Sequence, residues 1–410
     1  METPNKPTTL VTFLGGSRGK DPEKPVYQEA TYIHGDQKEQ DRVFLPALLR
    51  MNLYNIQRVV VLGTTTSLWE CLVPDTDSLH LDLWNDVRFE SGVSKDLLKR
   101  LEEFLSDKYK VEIETYASPT EINAGNAFTE MAGYAELLKR TPEDHEILVD
   151  FTHGFRSLPM LLLSALQYQS ALSHQVTGPK VRLVYAEFRG AENESPVHRL
   201  DSIWESMEIA EAARLFFDRF DGELLAEVLQ PVWPKLAKAL RRLSGILMAN
   251  YASRLEEVLR QFGKVLGNPP ANPPAWLPEL TDRMQSFHKE LSHKNSHETL
   301  FKLSGMYQQR RLWALAVITL YQCLEAGFCE REGTNFEEYE ATKDIVQDYL
   351  DDLPRSDLRY KNLCKLRGAR NAVAHGGSRS KKGGLPDSSN LPNQMKTYSR
   401  AVAEALNLKY

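Results

Sequence analysis

EILVDFTHGFRSLPMLLLSAL, residues 146–166, is the stretch whose reading decides the fold. EILVDFTHG (146–154) opens as a short apolar run of strand length, and LPMLLLSALQYQSAL (158–172) is long enough only for a helix. Pro159 suits the first turn of that helix, so Thr152 to Ser157 fall at its positive end. Asp150 and Thr152 are natural caps for the same turn. A strand that runs through a glycine-containing loop into a helix is the repeating unit of a parallel sheet.

The same alternation recurs on both sides of it. TTLVTFLGG (8–16), QRVVVLGTTTS (57–67), KVEIETYAS (110–118) and KVRLVYAEF (180–188) read as further strands. FLPALLRMNL, VSKDLLKRLEEFLSD and NAFTEMAGYAELLKR read as helices between them. The expectation is a Rossmann-like α/β domain with a mostly parallel sheet over residues 1–195. From about residue 200 strand signals cease, and SIWESMEIAEAARLFFDRF, KLAKALRRLSGILMANY and SRLEEVLRQFGKVL are amphipathic helices. GNPPANPPAWLP (267–278) breaks that series, and RRLWALAVITLYQCLEAGF (310–328) is its most apolar helix. This all-α region divides, on the sequence, into a linking or coupling segment at 196–300 and a terminal domain at 301–410.

Bulk properties narrow the class. A chain of 410 residues with 42% hydrophobic and 26% charged residues is that of a soluble globular protein of two or three domains. Cys71, Cys323, Cys329 and Cys364 lack CxxC spacing, which suits a reducing cytoplasm, and METPNKPTTL lacks the order of a signal peptide. No apolar run is long enough to cross a membrane, and a net charge of −6 argues against a general nucleic-acid coat protein.

Ligands of parallel sheets sit beyond the carboxyl ends of the strands, and three loops fall there. Gly15, Gly16, Ser17 and Arg18 form the first, which lacks the spacing of a Walker loop. Thr64, Thr65, Thr66 and Ser67 line the second with hydroxyls suited to phosphate and ribose, with Trp69 placed to stack on a base. Thr152, His153, Gly154, Phe155, Arg156 and Ser157 form the third, where His153 and Arg156 add donors for an anion.

A second cluster lies near the other end of the chain. RGARNAVAHGG (367–377) reads as the last turns of a helix closed by two glycines. Arg367, Asn371 and His375 follow at i, i+4 and i+8 with Arg370 alongside, while Leu366, Ala369 and Val373 make the buried face. Arg370 offers a planar, permanently charged fork for phosphate, His375 a group that titrates near neutrality, and Asn371 a hold on the ring or a ribose. Arg379, Lys381 and Lys382 in the loop beyond could guide an RNA backbone or simply face solvent. His288, His293 and His297, at spacings of five and four, do not share one tight face, and a solvated helix is preferred to a metal site.

VVVLGTTTSLWE and ILVDFTHGFRSLPMLLLSAL resemble the signature segments of CARF domains, the Rossmann-fold sensors of type III CRISPR systems. RNAVAH resembles the R-x4-6-H motif of HEPN ribonucleases. The resemblance implies a homodimer, or a higher assembly, whose paired sensor domains bind one ring of cyclic oligoadenylate, tetra-adenylate before hexa-adenylate. It further implies paired HEPN domains that cleave single-stranded RNA with no cofactor or metal, Arg370 and His375 ending the motif and Asn371 accompanying them. Arg367 lies outside the motif spacing and reads as an extra RNA contact or a structural residue. Slow cleavage of the ring by the sensor loops is a further expectation, and a non-catalytic cyclic-oligonucleotide sensor is the alternative.

Overall fold

The computed structural model describes residues 6–15, 27–89, 92–154, 157–172, 180–190, 193–334, 336, 344–374 and 390–409. The chain divides into two compact units, Met1–Glu205 and Ser206–Tyr410.

The first unit is built on an eight-stranded sheet. Its strands are β1 (Thr8–Phe13), β2 (Ala30–His34), β3 (Gln37–Asp41), β4 (Ile56–Thr64), β5 (Glu112–Ser118), β6 (Glu146–Asp150), β7 (Val181–Ala186) and β8 (Glu194–Arg199). They lie in the order β3-β2-β8-β7-β6-β1-β4-β5. The run from β7 to β5 is parallel throughout, β8 turns antiparallel to β7, and β3 returns antiparallel along β2. The mostly parallel sheet expected from the sequence is therefore present. The strands β2, β3 and β8 are additions to it. QKEQD in β3 is polar and largely exposed, and ESPVHR in β8 carries a proline, so neither shows a hydrophobic period.

Central strands are buried on both faces, as helix-covered parallel strands are. Every residue of β1 and β6 is buried. Leu10, Val59, Val61 and Leu148 form one core with side chains from α1 (Phe44–Met51), α2 (Ser78–Phe89) and α3 (Lys95–Tyr109). The helices α4 (Ala127–Leu138) and α5 (Ser157–Leu172) pack on each other, and α5 starts two residues before Pro159 as its sequence requires. Because β1 lies between β4 and β6, the chain reverses direction across the sheet at the β1–β6 junction, where ligands of such sheets collect.

The helix α6 (Asp201–Arg219) carries the division between the units. After it come α7 (Glu223–Leu229), α8 (Pro234–Ala249), α9 (Ala252–Leu266), α10 (Leu277–Leu291), α11 (Ser296–Gln309), α12 (Trp313–Glu332), α13 (Ile345–Asp351), α14 (Leu358–Ala374) and α15 (Leu391–Leu406). The proline-rich break separates α9 from α10, as expected. One apolar core runs from Phe216 through Leu240, Met284 and Leu320 to Leu366 and Val402. Residue 300, where the sequence suggests a division, falls within α11. Among the described residues, no helix is long and apolar enough to cross a membrane.

Candidate functional site

The carboxyl ends of β1, β4 and β6 bring the three expected loops into contact. At Gly15 a side chain would meet the His153 carbonyl oxygen at 2.5 Å and the Tyr27 hydroxyl at 2.7 Å, so only glycine lets the first loop lie on the third. The Leu68 N–H donates to the Gly15 carbonyl at 3.1 Å, tying the second loop to the first. Gly16, Ser17 and Arg18 lie outside the described residues, as do Phe155 and Arg156.

Within the second loop, the hydroxyls divide by direction. The Ser67 hydroxyl is buried, accepting the Thr64 N–H at 2.8 Å and donating to the Leu14 carbonyl at 2.7 Å. It closes the turn rather than facing a ligand. Trp69 differs from expectation in the same sense. Its ring is fully buried, its indole N–H donates to the Thr64 carbonyl at 2.9 Å, and a side chain at Gly63 would strike the ring at 2.6 Å. It packs beneath the loop and has no open face for a base. Thr64 is buried as well, with its hydroxyl 3.2 Å from that of Ser67.

Thr65 and Thr66 do face outward. Each hydroxyl oxygen lies 3.1 Å from that of Thr120, an exposed residue just after β5. Thr120 was missed on the sequence, although the end of β5 is one more strand terminus on the same edge. The Thr120 hydroxyl thus joins those of Thr65 and Thr66 into a patch of donors and acceptors suited to phosphate or ribose oxygens.

The third loop rests on a buried polar base. Asp150 is fully buried and accepts the Thr12 hydroxyl at 2.6 Å, the Thr152 N–H at 2.8 Å and the Thr152 hydroxyl at 2.5 Å. Burial pushes its carboxyl up, against the pull of those donors. The Thr152 hydroxyl also accepts the Ala186 N–H at 2.9 Å, so it is fully engaged inside the fold. His153 Nε2 accepts the Phe44 N–H at 3.1 Å, with the Tyr32 hydroxyl 3.3 Å away. Burial pushes its imidazole down to about 4, so the ring is neutral near pH 7. In place of the anion donor expected at His153 there is a neutral ring, a satisfied structural histidine that fixes the loop to the start of α1. Ser157 is exposed at the first turn of α5.

In the second unit, α14 ends as described at Ala374; His375 and the cations Arg379, Lys381 and Lys382 lie outside the described residues. Leu366 and Ala369 are buried and Val373 is half-buried, as their spacing predicts. Arg370 Nη1 donates to Asn371 Oδ1 at 2.9 Å, and its guanidinium carbon lies 4.8 Å from the centre of the Tyr321 ring. Arg370 Nη2 lies 3.7 Å from Glu325 Oε1 on α12. Burial pushes the Glu325 carboxyl up to about 7, while Arg370 pulls it down. Tyr321 and Glu325 were not foreseen from sequence. Arg367 Nη1 donates to Gln347 Oε1 on α13 and so is held against the fold.

The three histidines of the middle region part company. His288 Nε2 lies 2.9 Å from the Leu259 carbonyl, His293 Nε2 lies 3.1 Å from the Glu290 carbonyl, and His297 Nδ1 pairs with Glu330 at 2.7 Å.

Residues 9–187 match the family described as CRISPR system endoribonuclease Csx1, CARF domain. The CRISPR-associated protein MJ1674 of Methanocaldococcus jannaschii is 23% identical over 410 residues, covering 91% of this chain and 63% of that protein. The solved structure of Enterococcus italicus Csm6 bound to cyclic hexa-2'-fluoro-hexa-dAMP aligns over 97% of this chain and 95% of that chain, with 14% identity and a TM-score of 0.38. The match over 9–187 takes in β1 to β7 and the loops that follow β1, β4 and β6. Residues 9–187 are therefore similar to a CARF domain.

Proposed function

We propose that the chain is a cyclic-oligoadenylate-activated, metal-independent endoribonuclease of single-stranded RNA in type III CRISPR defence. The observation that carries the reading is one chain holding both a CARF-like domain and α14, whose outer turn presents Arg370 bonded to Asn371. The ring, tetra-adenylate first and hexa-adenylate second, meets Thr65, Thr66 and Thr120 with Ser157 and the residues that follow Gly15. The hydroxyls of Thr152 and Ser67 and the Nε2 of His153 are engaged within the fold, so these groups hold the loops in place and do not cut the ring.

RNA supplies its own nucleophile, so the protein has to orient the 2'-hydroxyl, stabilise charge on phosphorus and manage a proton. Attack forms the 2'-oxygen–phosphorus bond and breaks the bond to the 5'-oxygen, leaving a 2',3'-cyclic phosphate and a 5'-hydroxyl. Arg370 binds the phosphate oxygens, and His375 transfers the proton. One chain offers one such histidine, so a homodimer that sets two copies of α14 face to face supplies both an acid and a base. Exposed Met160, Tyr168 and Leu172 on one side of α5 support a second copy packing on the first unit.

The test is cleavage of a fluorescent single-stranded RNA in EDTA with no ring, or cyclic tri-, tetra- or hexa-adenylate in turn. Cleavage with one ring that is lost in His375→Ala supports the reading. A protein that binds a ring and never cuts RNA is a non-catalytic sensor.

A further inference from the structure

We infer that Glu325 on α12 is a positioning residue for Arg370, holding the guanidinium against the Tyr321 ring so that its outer edge meets the substrate phosphate. The inference rests on the ribonuclease reading above and adds a residue that the Arg–Asn–His motif does not contain.

Tyr321 and Glu325 stand one turn apart on α12, so ring and carboxylate share a face. Arg370 reaches that face from α14 and is gripped at three places. Nη1 donates to Asn371, the guanidinium carbon stands 4.8 Å from the centre of the Tyr321 ring, and Nη2 faces Glu325. At 3.7 Å the last contact is an ion pair and not a hydrogen bond, so among the described residues no hydrogen-bond acceptor takes the Nη2 hydrogens that would meet a phosphate oxygen. The Glu325 side chain is 15% exposed, whereas that of Arg370 is 35% exposed. The carboxylate is thus inside, and the cation it holds has one edge outside.

An acid in the most apolar helix of the unit is an unfavourable choice for packing alone, since a hydrophobic side chain would fill the place without desolvating a charge. Among the described residues, Arg370 is the one charged group acting on Glu325. Arg367 on α14 acts on Tyr321, and the other helices packed on α12, namely α11, α13 and α15, bring no further charge to it.

Positioning of this kind requires the ionised carboxylate. Glu325 is ionised above its raised value of about 7 and takes up a proton as the pH falls through it, releasing Arg370. The turnover of the activated protein therefore has an acid limb from Glu325 as well as whatever His375 contributes. Glu325→Gln keeps the shape and removes the charge. It is expected to lower kcat about tenfold, with little change in KM, and to remove the Glu325 limb from the pH profile. Glu325→Asp keeps the charge on a shorter arm and restores that limb in part.

A second readout does not depend on RNA cleavage. The guanidinium NMR signal of Arg370, assigned by its loss in Arg370→Lys, should titrate in the wild-type protein with a midpoint at about 7 and stay flat in Glu325→Gln. If no ring elicits RNA cleavage, the ribonuclease reading fails while this titration still decides whether Glu325 holds Arg370. A Glu325→Gln protein with wild-type kcat and pH profile, or an Arg370 signal that ignores the titration, overturns the inference.

Discussion

The Ser67 hydroxyl donates to the Leu14 carbonyl oxygen at 2.7 Å, joining the end of β4 to the end of β1 through a single buried atom. The same oxygen accepts the Thr64 N–H, so two backbone groups depend on it. Ser67→Ala leaves both unsatisfied in a buried place, at a cost of roughly 2 kcal/mol. The first unit should melt several degrees lower, and ring affinity should fall because the Thr65–Thr66 turn loses its anchor. A melting curve identical to wild type would refute this role for Ser67.

Thr120 offers the opposite case. Its hydroxyl is exposed and, among the described residues, meets those of Thr65 and Thr66, so Thr120→Val should leave stability within about 0.5 kcal/mol of wild type. Loss of one hydrogen-bonding group should weaken ring binding by roughly 3- to 10-fold. Calorimetric titration with cyclic tetra-adenylate measures it. An unchanged Kd would remove Thr120 from the binding surface.

The contrast between Ser67 and Thr120 marks what was legible in the sequence. Apolar runs before glycines revealed β1, β4 and β6, because those strands are buried on both faces and have no polar period to confuse them. The topology then placed three loops on one edge correctly. Which hydroxyls turn inward was not legible, since GTTTS looks the same whether Ser67 closes the turn or faces a ligand. Trp69 was misread for a related reason: the vacancy at Gly63 that admits its ring belongs to the backbone. Glu325 was invisible because an acid in an apolar helix acquires meaning only when α14 carries Arg370 to it. The polar strand β3 gave no signal at all, as its exposed residues need none.

His153 makes the stability of the first unit depend on acid. Its folded value lies near 4, below the ordinary 6.5, so the unfolded chain takes up a proton first as the pH falls. The stabilisation is fully present above about pH 6.5 and is lost progressively down to about pH 4, where both states are protonated. The loss amounts to about 3 kcal/mol at most. His153→Gln supplies an acceptor for the Phe44 N–H without titrating, so its stability should fall less over that interval. Denaturant melts at pH 7, 5.5 and 4 test this, and parallel curves for the two proteins would contradict it.

Arg370 is bound through the shape of its fork as well as through its charge. Nη1 is committed to Asn371 and the plane to Tyr321. Arg370→Lys retains the charge but can reproduce neither contact, and should lower single-turnover cleavage by about 100-fold or more. The melting temperature should barely move, because the side chain is partly exposed. Near-normal cleavage by the lysine variant would show that a point charge is sufficient there.

Arg367 separates two meanings of a basic residue on the same helix. Its guanidinium donates to Gln347 on α13, so its place is already explained within one chain. Arg367→Ala should therefore cost about 1 kcal/mol of stability and leave RNA cleavage within about threefold of wild type. The salt dependence of RNA binding is the sharper measurement. A cation that contacts a phosphate contributes a slope of about 0.7 in log affinity against log salt for a single strand. If Arg367 serves α13, the slope of the alanine variant matches that of wild type, whereas a shallower slope would place Arg367 on the RNA.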